Sequence, residues 1–220
     1  MKHFERLTSF FILAFIILGI TFAKIDLKYT EAVYLVEDGV LEWLTVVPLL
    51  CGAYISFERF FMLYKERSKE FNFCLFILGM LFIFGAGEEV SWGQRMFAVR
   101  SPEFFIHNNS QGETNLHNLI LGGVKINRLI FGTILGIVIA SYFLILPVLF
   151  LKIKRIRELI NRFGIPIPRY FHLAMYIALF VLVKMIDSGR RGEALEFGGC
   201  WIFLMMILNP KNIEIYKKNY

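Results

Sequence analysis

The sequence predicts an all-α, polytopic membrane protein with about six transmembrane helices and both termini in the cytoplasm. Of its 220 residues, 57% are hydrophobic and 19% are charged, whereas a soluble domain carries about 25% charged residues. The presence of 24 Phe against 3 Trp residues also favours a chain that faces lipid. Hydrophobic segments and short connections take up the whole length, so we expect one transmembrane domain over residues 1–220 and no soluble module.

Six segments are apolar and long enough to be membrane spans, because a helix needs about 20 mainly apolar residues to cross a bilayer. They cover roughly residues 7–23, 40–58, 71–92, 128–151, 170–186 and 194–209. The fourth is the clearest, since it has no charged residue from Leu129 onward, and the sixth is short and begins near Glu196. The first also has the pattern of a secretory signal, with basic residues before an apolar run.

The distribution of Lys and Arg predicts the orientation, since connections rich in these residues stay in the cytoplasm. With six spans, one side of the membrane receives both termini and the connections 59–70 and 152–169. That side holds 15 of the 24 Lys and Arg residues and, with Glu58 at the end of the second span, 6 of the 18 Asp and Glu residues. We therefore expect both termini to be cytoplasmic. The net charge of +6 is then explained by loops that face lipid headgroups, and nucleic acid is not an expected partner.

Residues 152–163 predict a basic amphipathic helix on the cytoplasmic surface. One helical face would carry Ile153, Ile156, Leu159, Ile160 and Phe163, with Lys and Arg around the rest. Such a helix lies on the inner leaflet, either as an anchor or as a surface that docks a protein.

Four polar stretches then fall on the non-cytoplasmic, periplasmic side. They are YLVEDGVLEW (34–43), GEEVSWGQR (87–95), QGETNLHN (111–118) and DSGRRGEALE (187–196). Ionisable residues at membrane depth are costly, and they usually pair or mark a site. We therefore place the candidate functional site on this face.

The adjacent acids Glu88 and Glu89 end the third span. On a helix, Glu88, Trp92 and Arg95 share one face at positions i, i+4 and i+7, while Glu89 points about 100° away. Two adjacent carboxylates repel each other unless a cation intervenes. In a structural alternative, Arg95 or Arg190 neutralises one carboxylate and water solvates the other.

In QGETNLHN, Glu113 and His117 are four residues apart, so a helical turn would present both side chains to one point. A carboxylate and an imidazole so placed can share a metal ion or form an acid–base pair. The capped start of a helix would equally explain Thr114 and Asn115. His107 is a further candidate ligand if a metal is bound.

Together these strings predict one site with two groups of residues. The catalytic candidates, which are also the candidate ligands of a divalent metal, are Glu88, Glu89, Glu113 and His117. The residues expected to position a substrate are Trp92, Gln94, Arg95, Asn115, Arg190 and Arg191, since arginine suits bidentate contact with phosphate or carboxylate. The residues expected to form the opposite wall are Glu37, Asp38 and Glu42.

The strings GEEVSWGQR and QGETNLHN resemble those of an uncharacterised family of bacterial multi-pass membrane proteins. The resemblance implies a multi-pass protein of the bacterial cytoplasmic (inner) membrane and carries no function with it. The glutamate pair is also similar to the EExxxR motif of CPBP intramembrane peptidases. Gly93 stands where that motif has its arginine, and the FxxxH element is missing because Phe104 and His107 are one residue too close.

Three functions fit these features. The first is an enzyme that acts on a lipid or a lipid-linked headgroup at the outer face. The second is a sensor or an assembly subunit of a larger complex, with a protein partner or a second copy of the chain. The third is an ion or proton pathway, although spans four and five have almost no polar stripe through their hydrophobic depth, where Ser141 and Lys184 interrupt them. Membrane lipid is an expected partner in every case.

Overall fold

The computed structural model describes residues 2–36, 39–122, 124–125 and 134–218, and the chain is mostly α-helical, as predicted. Its helices are α1 (Lys2–Ile25), α2 (Leu27–Tyr29), α3 (Val40–Leu63), α4 (Lys69–Glu89), α5 (Glu103–Asn108), α6 (Leu135–Leu144), α7 (Leu146–Lys152), α8 (Lys154–Arg162), α9 (Tyr170–Val183) and α10 (Arg191–Leu208). The smaller elements are a π-helical turn (Thr30–Tyr34), two 3-10 turns (Ser91–Gly93 and Ile213–Tyr216) and an antiparallel pair of two-residue strands, β1 (Ile120–Leu121) and β2 (Val124–Lys125).

Within the described ranges, four helical segments are long and apolar enough to cross a membrane: α1, α3, α4 and the α6–α7 segment Leu135–Lys152. This confirms the prediction of a mostly helical chain with several apolar helices that could cross a membrane. The start of the predicted fourth span, residues 128–133, lies outside the described residues. The α6–α7 segment is interrupted at Ile145, where Pro147 has no N–H to continue the helical hydrogen bonds.

The last two predicted spans correspond to α9 and α10, which differ from the other four segments. α9 is apolar but has only 14 residues. α10 has 18 residues, and Arg191, Glu193 and Glu196 lie in its first two turns. Length and hydropathy alone therefore identify these two helices less clearly as spans.

α10 is nevertheless the central helix of the bundle. It packs against α3, α9 and α1, and its side chains Phe197, Ile202 and Met205 are completely buried. The indole Nε1 of Trp201 donates a hydrogen bond to the carbonyl of Leu44 in α3 (3.1 Å). Because neighbouring helices surround much of α10, its first turns can carry charged residues that would be costly against lipid.

Glycines allow the closest helix contacts. A Cβ added at Gly198 of α10 would lie 2.5 Å from Cδ1 of Leu179 in α9, and a Cβ added at Gly79 of α4 would lie 2.8 Å from the ring of Phe57 in α3. Small residues at such positions let helices approach in lipid, where van der Waals packing drives their association.

Contacts between helix ends establish the direction of each helix. Glu5 at the start of α1 accepts hydrogen bonds from Arg169, just before α9 (3.1 Å), and from Asn209, just after α10 (2.8 Å). Arg59, near the end of α3, donates to the carbonyl of Leu208 (3.4 Å). The start of α1 and the end of α10 therefore meet at one end of the bundle, which we call the terminal end. The turns after α4 and before α10 lie at the opposite end, which we call the site end.

The segment after α10 fastens the amphipathic helix α8 at the terminal end. The hydroxyl of Tyr216 donates to the carbonyl of Gly164 (2.7 Å), and the side chain of Asn212 accepts from the backbone of Ile167 (3.0 Å). Within α8, Ile160 is buried whereas Leu159 is exposed. The apolar face of α8 is thus only partly covered by the rest of the protein.

A polar platform at the site end

α4 ends at Glu89, so the predicted continuation of this helix to residue 92 is wrong. Ser91, Trp92 and Gly93 have φ angles of 45°, 55° and 74°, which place three consecutive residues in the left-handed region. For residues other than glycine this conformation costs about 1–2 kcal/mol each and persists only where the surrounding structure enforces it. The ring of Trp92 packs over Gly87, where an added Cβ would lie 2.8 Å from it.

Glu88 joins the two polar strings. Its carboxylate is buried and accepts three hydrogen bonds, from Nε1 of Trp92 (2.9 Å) and from the backbone N–H groups of Leu116 (2.6 Å) and His117 (3.0 Å). The segment around residue 116 is therefore held directly on the last turn of α4.

Glu113 makes the second connection. It accepts a hydrogen bond from Oγ of Ser91 (2.6 Å) and forms an ion pair with Arg95. Asn115 is buried and donates to the same Ser91 Oγ (2.8 Å), while Arg95 also donates to Gln111 (3.2 Å). We call residues 88–95 and 109–118 together the polar platform.

The segment 113–117 is not helical, so the predicted helical turn that presents Glu113 and His117 to one point is wrong. Glu113 binds Ser91 and Arg95, whereas His117 lies beside Glu88, with 3.7 Å between Nδ1 and Oε2. Asparagine side chains replace helical hydrogen bonds here, because the side chain of Asn109 accepts from the backbone N–H of Gln111 (2.9 Å). Asparagine side chains commonly compete with helix formation in this way.

Glu89 points to a different environment from Glu88. The carboxylates that act on it electrostatically are those of Glu196, Glu42, Glu193 and Glu88, in decreasing order. Arg95, which the structural alternative expected to neutralise Glu88 or Glu89, pairs with Glu113 instead. Acidic side chains of α3, α4 and α10 therefore converge beside the platform.

His117 lies between the platform and these acids. Burial lowers the pKa of His117, but the adjacent carboxylate of Glu88 and the negative charges of Glu196 and Glu42 raise it, and the net effect is an upward shift. Its Nε2 atom lies 3.1 Å from the side-chain nitrogen of Asn118, and 27% of its side chain is exposed. The raised pKa favours the protonated imidazole, at a position that solvent reaches.

The remaining predicted site residues fall into two groups. The side chains of Trp92, Gln94, Arg95 and Asn115 bind other platform residues, and Gln94 accepts from the backbone N–H of Thr114 (2.8 Å). The second group is exposed and consists of Arg190 and Arg191 at the start of α10 and His107 at the end of α5. Glu37 and Asp38 of the predicted opposite wall lie outside the described residues.

The predicted divalent-metal set gains no support from the structure. Among the residues described, no group of three or more His, Cys, Asp or Glu side chains is arranged to hold a metal ion. The carboxylates of Glu88 and Glu113 instead bind N–H groups, Ser91 and Arg95.

Three residues that organise the platform were not identified from the sequence. They are Ser91, Asn109 and Asn118. The available signal was the density of Asn and Ser in the string NNSQGETNLHN, which is typical of turns stabilised by side chains. That signal indicates a turn but does not indicate its partner.

Comparison with protein-family models, with curated proteins and with solved structures finds no match to this chain. The function of the platform is therefore inferred from its own geometry and charge.

Proposed function

We propose that this chain is a six-pass protein of the bacterial cytoplasmic membrane that binds the headgroup of a lipid or lipid-linked molecule at its outer face. The start of α1 and the end of α10 meet at the terminal end, which supports an even number of passes. Four long apolar segments together with α9 and α10 would make six. The excess of Lys and Arg residues in the termini and in the connections 59–70 and 152–169 supports a cytoplasmic terminal end. The polar platform then faces the periplasm.

The position of His117 carries the proposal. Its imidazole is partly exposed and lies within the electrostatic reach of Glu88 on the platform, Glu42 on α3 and Glu196 on α10. Glu113 and Asn115, by comparison, are buried within the platform. We therefore expect a ligand to meet His117, which solvent reaches, together with the nearby Glu89.

The charge of this region indicates the ligand's chemistry. The acids around Glu89 make the local field negative, which favours a headgroup with an ammonium group, such as that of phosphatidylethanolamine. The Glu88–His117 pair can also hold and transfer a proton. An enzyme that acts on such a headgroup would use this pair as its acid and base, with Glu89 binding the ammonium group.

Lipid retention measured by native mass spectrometry tests the proposal. The protein is released from nanodiscs that contain equal amounts of phosphatidylethanolamine, phosphatidylcholine and phosphatidylglycerol. We expect preferential retention of phosphatidylethanolamine, and we expect Glu89→Gln to reduce it several-fold. Glu158→Gln is the matched control, because Glu158 is an exposed acid on α8 at the terminal end. Equal retention of the three lipids by the unaltered protein, or full retention by Glu89→Gln, would contradict the proposal.

The hydrogen bonds within the platform also favour a second function. In this alternative the chain is a sensor or an assembly subunit, and the platform recognises a protein partner. Gln94, Arg95 and Asn115 bind other residues of the platform. These contacts hold their side chains in defined positions, as a surface that binds a protein partner requires. The same mass spectra separate the two functions. Headgroup binding adds lipid mass to the chain, whereas an assembly subunit retains the mass of a second polypeptide and shows no preference among the three lipids.

A further inference from the structure

We infer that residues 95–106, which we call the interfacial segment, insert their apolar side chains into the headgroup–acyl boundary of the leaflet that faces the site end. The segment follows the left-handed turn after α4 and ends within α5. It presents Met96, Phe97, Val99 and Phe104 as exposed side chains, with 75% of Phe97 and 59% of Val99 accessible. Exposed apolar side chains that are grouped in this way are typical of a membrane or protein interaction site.

The backbone holds this apolar group in a defined shape. The N–H of Phe97 donates to the carbonyl of Gly93 (3.0 Å), and the N–H of Val99 donates to the carbonyl of Gln94 (3.0 Å). Ala98 has a φ of 51°, which closes the turn between them. The exposed side chains of Met96, Phe97 and Val99 therefore belong to a turn that its own backbone hydrogen bonds hold in shape.

The platform fastens the segment on both sides. On one side Arg95 pairs with Glu113, and further along the chain Ser101 is buried and bonded to Gln94 and Thr114. The apolar tip at 96–99 lies between these attachments. The position of the tip relative to the helix bundle is thus determined by the platform.

A lipid bilayer is the occupant that the neighbouring surfaces favour. The exposed side chains of α4, among them Phe73, Phe76 and Leu81, form a surface suited to lipid, and the interfacial segment begins a few residues after this helix ends. Trp92, which is half exposed, lies where the two surfaces meet, and indole rings are enriched at membrane interfaces. Arg100 is exposed within the segment, where it can reach lipid phosphates.

Depth-dependent fluorescence quenching tests this inference without reference to headgroup specificity. Phe97→Cys is made in a chain whose Cys51, Cys74 and Cys200 are replaced by Ala, labelled with an environment-sensitive fluorophore, and reconstituted into vesicles of phosphatidylethanolamine and phosphatidylglycerol. Ser110→Cys is the matched control, because Ser110 is an exposed polar residue of the platform. Val99→Cys provides a second position if the change at Phe97 prevents folding.

We expect a nitroxide attached high on the lipid acyl chain to quench the label at residue 97 at least about threefold more than the label at residue 110. Iodide in the aqueous phase should show the reverse order. Stronger quenching by iodide than by the lipid nitroxide at both 97 and 99 would overturn the inference. Protection of both positions from both quenchers would also overturn it, because it would indicate coverage by a protein surface.

Discussion

Glu88 and Glu89 are adjacent carboxylates, but the structure predicts opposite responses when each is changed to glutamine. Glu88 accepts hydrogen bonds from the indole of Trp92 and from the backbone N–H groups of Leu116 and His117. Glu89 instead faces other carboxylates, of which Glu196 acts on it most strongly. Glu88→Gln should therefore destabilise the fold, whereas Glu89→Gln should not.

The loss in the free energy of unfolding that Glu88→Gln should cause follows from the number of acceptor atoms in the two side chains. A carboxylate accepts through two oxygens, whereas the amide of glutamine accepts through one and places an NH₂ group where the other oxygen lies. Either the indole N–H or the two backbone N–H groups lose their acceptor. Since a hydrogen bond to a charged group contributes about 1.5–3 kcal/mol, we expect the free energy of unfolding to fall by about 3 kcal/mol. Glu89→Gln removes a like-charge repulsion and should leave the free energy unchanged or raise it.

Unfolding by sodium dodecyl sulfate in mixed micelles measures these free energies, and hydrogen exchange locates the change. In Glu88→Gln, the backbone N–H groups of residues 116 and 117 should exchange faster, while those in the middle of α3 should be less affected. Equal free energies for the two variants, or greater destabilisation by Glu89→Gln, would refute the assignment of Glu88 as the link between the two strings.

Two further predictions concern helix packing and pH. Gly198→Ala should lower the free energy of unfolding by about 1–3 kcal/mol, because the added Cβ would lie 2.5 Å from Leu179. Gly199→Ala is the control and should be neutral or stabilising by up to about 1 kcal/mol, because no atom lies within 4 Å of its added Cβ. Equal effects of the two changes in the detergent titration would refute the close α9–α10 contact. Because folding raises the pKa of His117, protonation of His117 stabilises the fold. This contribution is complete at pH values below the pKa of an unfolded histidine, and it is lost as the pH rises through the folded-state pKa. His117→Gln should remove this part of the pH dependence of the unfolding free energy, and an unaltered pH profile would show that His117 does not titrate as described.

The apolar helices could be predicted because they depend on local composition. A chain in lipid must satisfy its backbone hydrogen bonds within each helix, so a run of apolar residues is itself the structural signal. The position of α10 could not be predicted in this way. Its hydropathy is reduced by Arg191, Glu193 and Glu196, whereas its place at the centre depends on packing with α3, α9 and α1.

The platform was only partly predictable for a related reason. The density of costly polar residues indicated that strings 87–95 and 111–118 are important. Their actual contacts depend on a left-handed turn at Ser91 and Trp92 and on hydrogen bonds between residues more than 20 positions apart, such as Ser91 with Glu113 and Asn115. No periodic pattern encodes such contacts, so helical spacing paired Glu113 with His117 although Glu113 binds Arg95.

The arrangement of the platform and the termini on opposite sides of the membrane is tested most directly by cysteine accessibility in intact bacterial cells. Single cysteines are placed at Ser110, in the platform, and at Glu158, in α8, both of which are exposed, and a membrane-impermeant maleimide is added before or after the inner membrane is permeabilised. We predict that Ser110→Cys is labelled when only the outer membrane has been permeabilised. Glu158→Cys should be labelled only after the inner membrane is permeabilised as well. Labelling of both positions from the same side would contradict the six-pass arrangement, and the reverse pattern would contradict an outer-face platform.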